Sequence, residues 1–147
     1  MPVDISGFGL KVRVVASETF PSGFTVTQFT DDTDPVDSGS IQIRDKAMGL
    51  NGDLISWKKA NPIPLTLSVL PNTQDDANLS ILAMNNRAAA GRRAGPGDTI
   101  TVAITYPDGT VVRLVRGVIT DAILGKPVAS AGRLKSKVYI FAFEDFA

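Results

Sequence analysis

"NPIPLTLSVLPNTQDDANLSIL" (residues 61–82) passes from two prolines through an alternating strand to a third proline and straight into a helix. Leu65, Leu67 and Val69 fall on one face and Thr66 and Ser68 on the other, the period of a half-buried strand. Pro62 and Pro64 cannot donate to a ladder, so they mark the strand's entry or an edge. Pro71 ends it. Thr73 with Asp76 three residues later resembles a capping box with Asp in place of Glu or Gln, and carboxylates at 75 and 76 favour the positive end of a helix dipole. Asp75 and Asp76 therefore have a structural explanation, and no catalytic acid pair is implied. The helix is expected to run to Ala90 and to stop at Gly91.

Two apolar sets share that helix. Ala77, Ile81, Met84 and Ala88 recur at helical spacing and read as the core stripe. Leu79, Leu82 and Ala89 lie on another side and read as a contact to a neighbouring subunit, with deep burial as the alternative, because one helix in a mostly β chain rarely finds cover all round.

The rest of the chain alternates at period two. Residues 10–14 (LKVRV) and 24–30 (FTVTQFT) read as a hairpin turned at Pro21, Ser22 and Gly23, followed by an acidic loop, DDTDPVDSGS. Residues 41–44 (IQIR) and 54–57 (LISW) flank GLNGD, whose Asn51-Gly52 suits a tight turn. Residues 99–106 (TITVAITY) and 110–119 pair across the turn signal PDG. Residues 125–136 read as a flexible basic connection. Residues 138–146 (VYIFAFEDF) are apolar on both faces and read as a central strand between two layers. The fold class expected is mainly β: an antiparallel sandwich or partly closed barrel with one inserted helix and a long hairpin, in one domain over residues 1–147.

Composition narrows the function. The 147 residues include no cysteine and no histidine, which removes thiolate chemistry and the side chain most used for proton transfer and zinc binding. No constellation meets the requirements of an active site, so the expectation is a non-enzyme with no cofactor and no metal. Arg92 and Arg93, among glycines, suit an anion cradle or a solvated turn. The N-terminus lacks the pattern of a signal peptide and no stretch is long enough for a membrane-spanning helix, so no membrane insertion is expected. Net charge is zero but unevenly spread: residues 1–39 carry six acids against two bases, and residues 84–137 nine bases against three acids. Where such segregation persists in space, opposite patches favour head-to-tail association; where it does not, the charges are two solvated surfaces.

The order of elements, and the segment LTLSVLPNTQDDANLSIL above all, resembles the tail tube proteins of contractile-tailed bacteriophages, particularly the PhiTE-type tube family, most specifically over residues 40–85. The resemblance implies homohexameric rings stacked into a hollow conduit inside a contractile sheath. The partners implied are other copies, sheath, baseplate or tail-terminator and tape-measure proteins, with DNA passing through the lumen without specific binding. It implies a virion tail location after assembly in the host cytoplasm. Residues 40–69 would supply the hairpin that joins neighbours, with Ile41, Ile43, Met48, Leu50, Leu54, Ile55, Trp57, Leu79 and Leu82 at the subunit interface. Asp31, Asp32, Asp34 and Asp37 would pair between rings with Lys126, Arg133, Lys135 and Lys137. Serines and threonines at 25, 27, 66, 68 and 99–105 would suit a wetted wall. An acidic lumen is implied as well, yet Arg44, Lys46, Lys58 and Lys59 sit in the hairpin beside Asp45 and Asp53, and the face they occupy stays open. The other readings are a tube subunit of a contractile secretion or injection system, and a stand-alone binding module using Trp57 and Tyr106 as a stacking platform.

Overall fold

A computed structural model of the chain describes residues 8–30, 34–88 and 97–147. The strands are β1 (Lys11–Ala16), β2 (Phe20–Val26), β3 (Val36–Asp37), β4 (Arg44–Met48), β5 (Leu54–Lys58), β6 (Ile63–Val69), β7 (Ile100–Thr105), β8 (Val111–Ala122) and β9 (Lys137–Phe146), with helix α1 (Gln74–Asn86) between β6 and β7. Seven strands form one antiparallel sheet in the order β2-β1-β7-β8-β9-β6-β3, curled into a half-barrel, while among the described residues β4 and β5 pair only with each other. The mainly β class with one helix is as the sequence indicates.

Side-chain alternation explains why the sheet has a single core. Val12 and Val14, Val102 and Ile104, Tyr139, Phe141 and Phe143, and Leu65, Leu67 and Val69 all point to one face and are fully or almost fully buried. Helix α1 covers that face with Leu79, Leu82 and Ala83. Irregularities between Val14 and Ala16, between Ile100 and Val102, and between Ile119 and Asp121 break the register, and such bulges bend a strand and raise its twist. At one of them Arg116 takes φ 53°, and Gly117 next to it lies against the Phe143 ring, where an added Cβ would sit 2.2 Å from Cδ1.

Several local expectations are corrected. The first hairpin turns at residues 17–19, not at Pro21–Gly23, which lie inside β2. The Asp98 carboxylate holds that turn by accepting from Glu18 N at 2.7 Å and Thr19 N at 2.8 Å. Strand β4 lies three residues later than IQIR, because the Gly49 N to Asp53 O bond of 2.8 Å closes a wider loop in which Gly52 takes φ 90°. Residues 125–136 are an ordered miniature hairpin with a bridge between Val128 and Leu134. β9 is central in its sheet as expected, but Val138, Ile140 and Ala142 on its second face are only half-buried, with no second layer over them among the described residues.

The helix is turned the other way round. Leu79 and Leu82 are 0% exposed and face the core, while Ile81 is 48% exposed and Ala77 and Ala88 are exposed beside it. Leu79 and Leu82 are therefore not interface residues. The buried stripe also contains Asp75 and Asp76, whose carboxylates are satisfied internally, so the two large leucines decide the orientation. Thr73 caps the helix by accepting from Asp76 N at 3.2 Å. The helix ends at Asn86 with Arg87 extended, short of Ala90; Gly91 and the Arg92–Arg93 cradle lie outside the described residues.

Candidate functional site: a projecting arm

Polar groups in the body close on one another. Asp75 Oδ2 accepts from Thr27 N and Gln28 N, each at 2.9 Å, and so ties the helix start to the chain leaving β2. Asp76 Oδ1 accepts from the Tyr139 hydroxyl at 2.8 Å and lies 3.5 Å from Lys137 Nζ. Burial pushes the Tyr139 hydroxyl far above its ordinary pKa, and Asp76 adds to that. Lys137 is 3% exposed and donates to Gly125 O at 2.7 Å. It is committed inside the fold, so its assignment to contacts between rings is withdrawn. Among the described residues no cluster of His, Cys, Asp or Glu could hold a metal ion.

The arm behaves differently. Between β3 and β6, residues 40–60 leave the body and return to the proline bracket at Pro62 and Pro64, and nearly every side chain in them is exposed. The ladder pairs Arg44 with Lys58, Asp45 with Trp57, Lys46 with Ser56, Ala47 with Ile55 and Met48 with Leu54. Lys59 N to Ile43 O and Asn61 Nδ2 to Gln42 O extend it toward the body. Opposed residues share a face and neighbours alternate, so the two faces are unlike. One carries Ile43, Ala47, Ile55 and Trp57, with Asp45 and Lys59 4.0 Å apart as an ion pair. The other carries Arg44, Lys46, Ser56 and Lys58, with Met48 and Leu54 toward the tip.

Ile41, Ile43, Met48, Leu50, Leu54, Ile55 and Trp57 are all exposed, and Trp57 is 47% so. A two-stranded hairpin by itself is marginal in water, and a run of exposed large apolar side chains marks an interaction surface. Of the charges proposed for contacts between rings, Asp34, Asp37, Lys126, Arg133 and Lys135 are exposed, while Asp31 and Asp32 lie outside the described residues. Thr25 and Thr105 are exposed, Thr66 and Thr101 half-buried, and Ser68 buried, with its backbone bonded to Thr30 and Pro35. Tyr106 packs against the body core whereas Trp57 stands on the arm, so the two aromatics of the binding-module reading belong to different parts of the fold.

A family model described as tail fiber protein gp32 matches residues 3–147. The chain belongs to the tail fiber protein gp32 family. It is thus a phage tail component, with a structural role at that level of description. Among solved structures the chain is similar to a chain of the anti-feeding prophage baseplate, determined by cryo-EM with six-fold symmetry imposed. The identity is 7%, the match covers 100% of this chain and 96% of the other, and the TM-score is 0.55. At that identity the likeness shows the fold alone. No curated protein matches the sequence. The kinship with phage tail proteins read from the sequence therefore stands at the level of the tail, and the family description does not specify a tube subunit.

Proposed function

We propose that this gp32-family protein is a ring-forming subunit of the conduit in a contractile tail, in which the β4–β5 arm of each copy docks on the next. The observation that carries this is the arm itself: a hairpin that, among the described residues, pairs with no other strand, with Ile43, Ile55 and Trp57 exposed on one face. Joining such a hairpin to a neighbouring sheet removes open strand edges, which are otherwise a liability. Six copies in a ring, stacked inside a sheath around a tape-measure protein and then around DNA, is the assembly this reading adopts. The similar baseplate chain belongs to a particle with six-fold symmetry imposed, which supports a ring and extends the reading to one at the baseplate end of the conduit.

Electron microscopy of the purified protein tests it. Rings or tubes are expected at high concentration or on nucleation by partner proteins, and persistent monomers under both conditions would refute it. Replacing residues 46–53 with a short turn should abolish assembly while leaving the body's circular dichroism unchanged. Unimpaired assembly would show that the interface lies elsewhere.

A further inference from the structure

We infer that the second face of the arm is a nucleic-acid contact: Arg44, Lys46 and Lys58 form a cationic row that meets the phosphate backbone. The inference rests on the conduit reading, since it assumes that the apolar face is taken by a neighbouring copy and leaves this one open.

The ladder register places the three cations together. Arg44 and Lys58 are directly opposed, so their Cβ atoms are about 5 Å apart. Lys46 lies two residues along β4 from Arg44, about 7 Å away, which is about two base-pair steps of a duplex. The strand positions of this face carry no acid. Asp45 is on the other face, where Lys59 already pairs with it, and among the described residues no ion pair involves Arg44, Lys46 or Lys58.

Like charges directly opposed across a ladder destabilise a hairpin. Among the described residues no ion pair offsets that repulsion, whereas on the apolar face Asp45 and Lys59 pair with each other. A polyanion supplies the missing counter-charge. Phosphate contacts are independent of sequence and lost with salt, as suits a wall past which any genome sequence must slide. The implied acidic lumen is thereby replaced, along the arm, by a weakly cationic one.

The test uses the full-length chain, unassembled and as rings, with a short fluorescent DNA duplex as probe and a polyglutamate of matched charge as competitor. Wild type should bind the duplex at low salt. For three neutralised phosphates, log K should fall against log salt with a slope of about −2.7 in the unassembled chain, a loss of about 40-fold between 50 and 200 mM. The R44Q/K46Q/K58Q variant should lose that binding and its salt dependence while keeping its circular dichroism, and K11Q, an exposed lysine on β1, should bind like wild type. Undetectable binding by wild type, or equal binding by the triple variant, overturns the inference. Preferential binding of polyglutamate, or loss of ring formation in the triple variant without DNA binding by wild type, assigns the face to an acidic protein surface and overturns it too. Failure of wild type to form rings refutes the conduit reading, and is read separately by microscopy.

Discussion

Asp98→Asn is the most informative single change in the body. The Asp98 carboxylate gathers four donors from two parts of the chain: Glu18 N, Thr19 N and the Thr19 hydroxyl in the β1–β2 turn, and Asn86 Nδ2 at the helix end, the last at 2.8 Å. Burial alone would raise its pKa, but the bonds from Thr19, Asn86 and Glu18 outweigh that and hold it below its ordinary value of 3.8. In the variant the amide oxygen keeps the two backbone donors but loses charge assistance, about 1 kcal/mol for each bond. The new NH2 faces Asn86 Nδ2 donor to donor, which adds about 1 kcal/mol or more. The sum is about 3 kcal/mol, or about 6–12 °C in Tm for a domain of this size. Urea unfolding followed by far-UV circular dichroism measures it; tryptophan fluorescence does not serve, because the single Trp stands on the exposed arm. The pH dependence has a defined sign. A folded-state pKa below the unfolded one means stability that is present above the unfolded value of about 3.9 and is lost as pH falls through the folded value. The gap between wild type and D98N should therefore be full near pH 7 and shrink near pH 2. A gap under about 0.5 kcal/mol near neutrality, or one equal at both pH values, would refute the reasoning.

Two further outcomes follow from packing. Leu82→Ala should cost about 2–5 kcal/mol in the same unfolding experiment, and Ile81→Ser no more than about 0.5 kcal/mol, since only the first empties space in the core; the reverse order would restore the helix orientation expected from the apolar stripe. Gly117→Ala would drive its Cβ to 2.2 Å from Phe143 Cδ1 and 2.4 Å from Cε1, so it should cost about 1–3 kcal/mol, with partial recovery in G117A/F143L; additive losses in the double variant would show that the two side chains do not compete.

The strands were legible where one face is buried, because the period of two then survives in the sequence: β6, β7 and β9 lie close to where alternation places them, and the PDG turn closes with Tyr106 N to Thr110 O at 2.8 Å. What escaped reading has one physical cause. The β1–β2 turn is fixed by a carboxylate 79 and 80 residues away in sequence rather than by Pro21-Ser22-Gly23. The helix can bury the stripe that carries Leu79 and Leu82 even though it contains Asp75 and Asp76, because Thr27, Gln28, Tyr139 and Lys137 satisfy those carboxylates. Lys137, a surface base by composition, is buried for the same reason. Hydropathy registers each of these residues as outward, and only partners distant along the chain reverse that.

The same criterion separates the body from the arm. In the body, charged groups that look exposed in the sequence are buried and matched, and no buried side-chain nitrogen or oxygen among the described residues lacks a hydrogen-bond partner. On the arm the opposite holds, since residues with every tendency to be buried, Ile43, Ile55 and Trp57, stay exposed, and among the described residues Arg44 faces Lys58 across the ladder with no ion-pair partner for either. A hairpin of five-residue strands gains too little from its own pairing to sustain both costs. In the proposed assembly a neighbouring copy supplies what the arm lacks, so contacts from outside the chain should order the arm far more than the body. Hydrogen exchange can read that difference directly: amides of β4 and β5 should exchange fast in the unassembled chain and become protected in rings, while those of β6 and β9 stay protected in both. Equal protection of arm and body in the unassembled chain would mean that the arm is stable alone, and would remove the main reason for assigning it a partner.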